Sequence, residues 1–158
     1  MRQVYARRRA VLSSGRMFEL ADRSKGSVCS THDIRVLVEP RIIAEASRPA
    51  NDEFRFAYRV TMSNDSMQTV RLESRHWIIV NAEGHREEVI GDGVIGCTPT
   101  LAPGEYFTYT SMCPLSTPWG TMEGTYTFVR IDDGATLDVK IARFFLAVAM
   151  VEAAAAPV

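Results

Sequence analysis

The stretch Phe54-Arg55-Phe56-Ala57-Tyr58-Arg59-Val60-Thr61-Met62 decides the fold class. Phe54, Phe56, Tyr58, Val60 and Met62 alternate with Arg55, Ala57, Arg59 and Thr61. A period of two sends successive side chains to opposite faces, which makes this a half-buried β-strand. The aromatic and aliphatic set, or its alternate partners, is expected to line the core. Working outward, Ile34, Val36 and Val38 alternate with Arg35 and Leu37 until Pro40 stops the run. Asn64-Asp65-Ser66 supplies turn chemistry, and a second long strand follows from about Thr69 to Val80. Ala82-Glu83-Gly84 turns the chain into a strand ending near Ile90. Tyr106, Thr108 and Thr110 alternate with Phe107, Tyr109 and Ser111, and Thr125–Ile131 and Thr136–Phe145 flank the turn Asp132-Asp133-Gly134. These seven segments leave no room for helical crossovers, which excludes a parallel α/β architecture. The expected fold is all-β: an antiparallel, immunoglobulin-like β-sandwich of seven to eight strands. The immunoglobulin Cys…Trp…Cys spacing is missing, so the fibronectin type III-like variant fits better.

Composition bounds the rest. A chain of 158 residues with 46% hydrophobic side chains suits one globular domain. No apolar run reaches the roughly 18 residues of a membrane span. Three cysteines without a CxxC pair make neither a disulfide scaffold nor an all-cysteine zinc site. A formal charge of -1 argues against a nucleic-acid partner.

That charge is unevenly spread. Residues 1–32 carry seven basic side chains against Glu19 and Asp22, and the remainder is net acidic. Three units are therefore expected: a basic, flexible N-terminal extension over 1–32, the sandwich over 33–146, and a C-terminal tail over 147–158. The start of the chain, with Arg7-Arg8-Arg9, reads as a solvated tail, an organelle-targeting segment, or residues ahead of a start at Met17. It lacks the apolar stretch of a secretory signal, so a cytoplasmic location with reduced cysteines is expected. Phe144 to Val151 is too short to cross a bilayer. An exposed Phe144-Phe145-Leu146 edge would invite a partner strand, including a second copy.

Several groups are candidates for chemistry. Gly91-Asp92-Gly93-Val94-Ile95-Gly96 is a literal GxGxxG. Pro99 and Pro103 block the helix that a dinucleotide site needs after it, and no Lys follows for a phosphate-binding P-loop. Two readings stay open. Gly91, Asp92, Gly93 and Gly96 could expose N–H groups as a nest for an anion or nucleotide, with Arg75 as an anion ligand. Otherwise the glycines let the chain turn between two sheets. In Ser74-Arg75-His76-Trp77, alternation puts Arg75 and Trp77 on one face and Ser74 and His76 on the other. Arg beside an aromatic ring suits recognition, and the structural alternative makes Trp77 a core anchor and pairs Arg75 with an acid. No spacing fixes Ser74, His76, His85 and Asp92 as a catalytic set. His76, His85 and Asp92 are weak candidates for metal, because their spacings match no zinc or calcium pattern. No catalytic residue and no cofactor is expected.

With these residues laid out, the chain resembles the ApaG domain family. The resemblance rests on Phe56-Ala57-Tyr58, Ser74-Arg75-His76-Trp77, the glycine stretch 91–96, Leu101-Ala102-Pro103-Gly104-Glu105, Cys113-Pro114-Leu115, Gly120-Thr121-Met122 and Gly124-Thr125-Tyr126. It spans about 34–146. Met112 and the pair Cys97-Thr98 depart from the family pattern. The resemblance implies a fibronectin-like sandwich and links to cobalt resistance, magnesium efflux and diadenosine tetraphosphate metabolism. It also implies a protein-interaction module, with SRHW, CPL and GTM as partner-binding or family-motif residues; the Phe144–Leu146 edge adds a homodimer as one form of partner. It carries no catalytic mechanism. The non-enzymatic binding module is preferred. The alternative is nucleotide or pyrophosphate binding at Gly91–Gly96, with a divalent metal bridge and metal-assisted phosphoanhydride hydrolysis.

Overall fold

The computed structural model describes residues 9–11 and 17–153. Their order is β1 (Arg9–Val11), β2 (Met17–Asp22), β3 (Ser27–Thr31), β4 (Ile34–Ile42), β5 (Phe54–Asn64), β6 (Val70–Asn81), β7 (Arg86–Asp92), β8 (Thr100–Leu101), β9 (Tyr106–Leu115), β10 (Trp119–Arg130) and β11 (Thr136–Glu152). Two short 3-10 turns lie between β4 and β5. One sheet runs β1-β2-β11-β10-β6-β7, with β8 also on β6. The other runs β3-β4-β5-β9. All pairings are antiparallel, and the two sheets face each other as a sandwich. The seven segments expected from periodicity are β4, β5, β6, β7, β9, β10 and β11. Four short strands complete the sheets.

The alternation of β5 has its expected consequence. Phe54, Phe56, Tyr58, Val60 and Met62 are all buried, while Arg55 and Arg59 face water. They meet Leu72, Trp77, Met122, Tyr126, Phe128 and the inward residues of β11 across the sandwich. At its centre Trp77 packs edge-on against Tyr58, Tyr126 and Phe144, with ring centroids 5.4, 6.0 and 5.8 Å away. Such aromatic pairs add about 0.5–1.5 kcal/mol each beyond the area they bury.

Two expected boundaries differ from the observed ones. β2 and β3 lie inside the segment read as an extension: β2 pairs with the far end of β11, and β3 pairs with β4. Their few apolar side chains are spaced among Glu19, Asp22, Arg23 and Lys25, which hides the strand period behind the charge. Residues 1–8 lie outside the described residues. At the other end β11 continues to Glu152, six residues into the expected tail, because β2 supplies a partner there. The Phe144-Phe145-Leu146 segment is also not an edge. β10 flanks it, Phe145 exchanges backbone bonds with Lys25, and Phe144 and Leu146 are buried. No helix among the described residues is long and apolar enough to cross a membrane.

The core carries a titration signature. Burial pushes the Cys113 thiol up from 9.0 to about 12. It raises the phenols of Tyr58, Tyr109 and Tyr126 too, the last two bonded to one another through their hydroxyls. A raised folded-state value means stability that is complete below the unfolded value and is lost as pH climbs through the folded one. Stability should therefore hold to about pH 9 and fall above it. At pH 10.5 the Cys113 thiol alone should remove about 2 kcal/mol. Thermal unfolding followed from pH 8 to 10.5 checks this: the midpoint should drop with pH, and less steeply in Cys113→Ala. A flat profile would contradict the buried thiol.

Candidate functional site

The glycine stretch begins as the end of β7 and runs towards β8. Both strands pair with β6, so the loop between them stays within one sheet. The change of sheet comes later, where Gly104 takes a φ of 84° ahead of β9. That corrects the expectation of a turn between sheets at 91–96.

Within the loop the backbone amides are used internally. The Gly93 N–H donates to the Glu73 carbonyl at 2.8 Å. Val94 and Cys97 exchange N–H···O bonds of 2.9 and 2.8 Å. Between them Ile95 and Gly96 have φ values of 44° and 75°, the two-residue turn geometry with both central residues left-handed. Ile95 is β-branched and 58% exposed, and holding it there costs about 1–2 kcal/mol. Val94 is fully buried and anchors the turn to the core. Gly93 has a steric reason to be glycine: at a φ of 59°, a Cβ would sit 2.3 Å from the Cys97 carbonyl oxygen.

Arg75 completes the arrangement. Its register partner is Gly91, whose missing side chain leaves room for the guanidinium: a Cβ there would lie 3.0 Å from Nη1. Nη1 donates to the carbonyls of Asp92 at 2.9 Å and Gly93 at 2.8 Å. Arg75 therefore caps loop carbonyls, and among the described residues it makes no ion pair with an acid. Asp92 is exposed at the end of β7. The loop thus offers Arg75 its oxygens, whereas a nest would offer an anion its N–H groups.

The other candidates spread over both faces. Arg75 and Trp77 point inward and Ser74 and His76 outward, as alternation requires. His76 Nε2 is shielded from solvent without a hydrogen bond, and Glu88 Oε2 lies 3.6 Å from it. His85 is exposed in the β6–β7 hairpin. Among the described residues no three His, Cys, Asp or Glu side chains converge as metal ligands. Cys113 and Leu115 are buried in β9, while Pro114 between them is exposed. Gly120 and Met122 face the interior of β10, and Thr121 faces outward between Val80 and Phe145. These motif residues are held in place by packing and are not gathered around one cleft.

Two features escape sequence reading. The bonded pair Tyr109 and Tyr126 looks like ordinary core at strand period, because nothing local shows that the two hydroxyls meet. Gly124 sits mid-strand at a β-bulge, where a Cβ would lie 2.0 Å from the His76 carbonyl oxygen. Its spacing from Trp77 becomes meaningful only once β6 and β10 are known to pair.

The loop geometry separates two substitutions. Gly93→Ala meets both an unfavourable φ and a backbone oxygen, while Gly96→Ala meets only the φ, with nothing within 4 Å. Gly96→Ala should cost about 1 kcal/mol and Gly93→Ala at least about twice that. Chemical denaturation of both variants checks it. Equal losses would contradict the contact with Cys97.

With the geometry in place, comparison with known proteins gives a consistent result. The ApaG domain model matches residues 44–130. An ApaG protein of Acidithiobacillus ferrooxidans is 50% identical over 119 residues, spanning 75% of this chain and 93% of that protein. One from Anaeromyxobacter dehalogenans is 50% identical over 122 residues, 77% of this chain and 95% of its own length. A crystal structure of an ApaA protein from Bordetella pertussis superposes with a TM-score of 0.71 at 47% identity, covering 75% of this chain and 95% of that one. Sequence and overall fold agree: the chain belongs to the ApaG family.

Proposed function

We infer that this ApaG chain is a non-enzymatic binding module that engages a protein partner. One observation supports this above others. Arg75 Nη1 and the N–H groups of Gly93, Val94 and Cys97, which a phosphate would need, are already bonded to backbone oxygens. Freeing the N–H groups of buried Gly93 and Val94 for a ligand would break bonds that hold the turn closed, and their carbonyl partners would lose their donors. Among the described residues His76 Nε2 has no hydrogen-bond partner, so no Ser or Cys there is bonded to it for activation. A Ser–His or Cys–His machine requires that contact.

The three cysteines are all free, which fits a reducing cytoplasm as the place of action. The family's links to cobalt resistance, magnesium efflux and diadenosine tetraphosphate metabolism then describe the setting in which the module is used, and not a reaction it performs.

Calorimetric titration tests this reading. ATP and diadenosine tetraphosphate, each with and without magnesium or cobalt, should give no saturable heat tighter than about 100 μM, which is about -5.5 kcal/mol. An immobilised chain should meanwhile retain a protein from native extract, and soluble chain should compete it off. Saturable nucleotide binding, or hydrolysis that is lost in His76→Ala, would overturn the reading.

A further inference from the structure

Strand β9 is an open edge of the smaller sheet, paired only with β5 among the described residues. Its hydrogen-bonding direction follows from the ladder. Asn64 stands opposite Glu105 and donates to its carbonyl at 2.9 Å. Bonded pairs alternate in an antiparallel ladder, so the odd residues of β9 bond to β5 and the even ones point outward. Pro114, which has no N–H to give, falls on the outward set as it should. Tyr106, Thr108, Thr110 and Met112 thus present backbone donors and acceptors to the outside. Native edges are commonly protected by charge. The β7 edge carries Arg86, Glu87, Glu88 and Asp92, whereas Tyr106–Leu115 contains no charged residue.

The larger sheet extends beyond this edge. Tyr58 of β5 touches both Trp77 of β6 and Phe144 of β11, the strands on either side of β10, so β5 lies above β10. β9 then lies above β6, and β7 projects one strand spacing, about 4.8 Å, past it. The result is a ledge with the β9 backbone as its wall and the inward side of β7 as its floor. Gly91, Val89 and Glu87 follow one another along that floor. Val89 is half-buried, and Glu87 is exposed with no ion pair among the described residues.

We propose that this ledge receives one extended peptide segment of a partner protein as a fifth strand beside β9, with a basic side chain over Glu87 and an aliphatic one over Val89. The proposal rests on the binding-module reading above and names its site. Main-chain bonds to the outward β9 residues hold the segment, and the alternate side chains meeting the floor select it. Charge complementarity chooses the basic residue, since Glu87 lacks a partner. A second copy does not fit. A two-fold pairing of β9 with itself would bring both β7 strands into the space beneath the new strand.

The test uses the full chain, labelled with nitrogen-15, and the probe acetyl-Thr-Arg-Thr-Val-Thr-Ala-Thr-amide. Run antiparallel to β9, this probe sets Arg beside Cys113, Val beside Ser111 and Ala beside Tyr109. Amide shifts should concentrate at Tyr106, Thr108, Thr110 and Met112. Replacing the probe's Arg by Glu should weaken binding about tenfold, and Glu87→Lys in the protein should reverse that preference. Thr110→Pro removes an outward N–H without touching the β5 ladder and should abolish the shifts while the circular dichroism spectrum stays unchanged. No shift along β9 at millimolar probe, or equal binding of the Arg and Glu probes to the wild-type chain, would overturn the proposal. So would β9 shifts that track protein concentration without any probe, which would mean that a second copy occupies the edge. If wild type and Thr110→Pro retain the same protein from extract, the binding-module reading stands and the β9 site falls.

Discussion

The structure turns on the contact between Trp77 and the backbone of β10 at Gly124. Gly124 is the register partner of Trp77, and a Cβ on it would collide with the His76 carbonyl. Without that Cβ, β6 and β10 approach closely here, beside a β-bulge in the β10–β11 ladder. Tyr58, Tyr126 and Phe144 then close around the indole from three other strands. One small residue therefore lets the largest side chain of the core join β5, β6, β10 and β11. Interiors pack as densely as organic crystals, so little else could fill that space without shifting both sheets.

From that contact the family motifs acquire physical meaning. Trp77 places Arg75 two residues earlier on the same inward face, at the rim of the aromatic cluster. Its guanidinium then reaches over Gly91 to the carbonyls of Asp92 and Gly93. The Gly120–Met122 and Gly124–Tyr126 segments belong to the strand that carries the bulge. These residues maintain a rigid sandwich, and function is then better sought where the surface is open, at the strand edges and loops.

Much of the fold was legible because period two is a strong signal where one face is buried. β4, β5 and the start of β9 could be read residue by residue, and the buried face of β5 was the expected one. Legibility failed where pairing replaces patterning. β2 and the end of β11 stabilise one another through the ladder, and charged residues between Glu19 and Lys25 mask their alternation. The glycine loop was legible as something other than a dinucleotide site, since Pro99 and Pro103 forbid the helix. Its backbone bonds could not be read, because the partners at Glu73 and Arg75 come from a strand some twenty residues earlier. The outward direction of Tyr106, Thr108, Thr110 and Met112 was hidden for the same reason: it depends on which partner a residue faces and not on its type.

The central claim is that the glycine loop is a closed structural turn, and native-state hydrogen exchange tests it most directly. The amides of Gly93, Val94 and Cys97 donate to backbone oxygens, so they should exchange slowly with or without phosphate or nucleotide. Fast exchange at all three in the free chain, slowed when pyrophosphate is added, would contradict the account and mark the loop as an anion site.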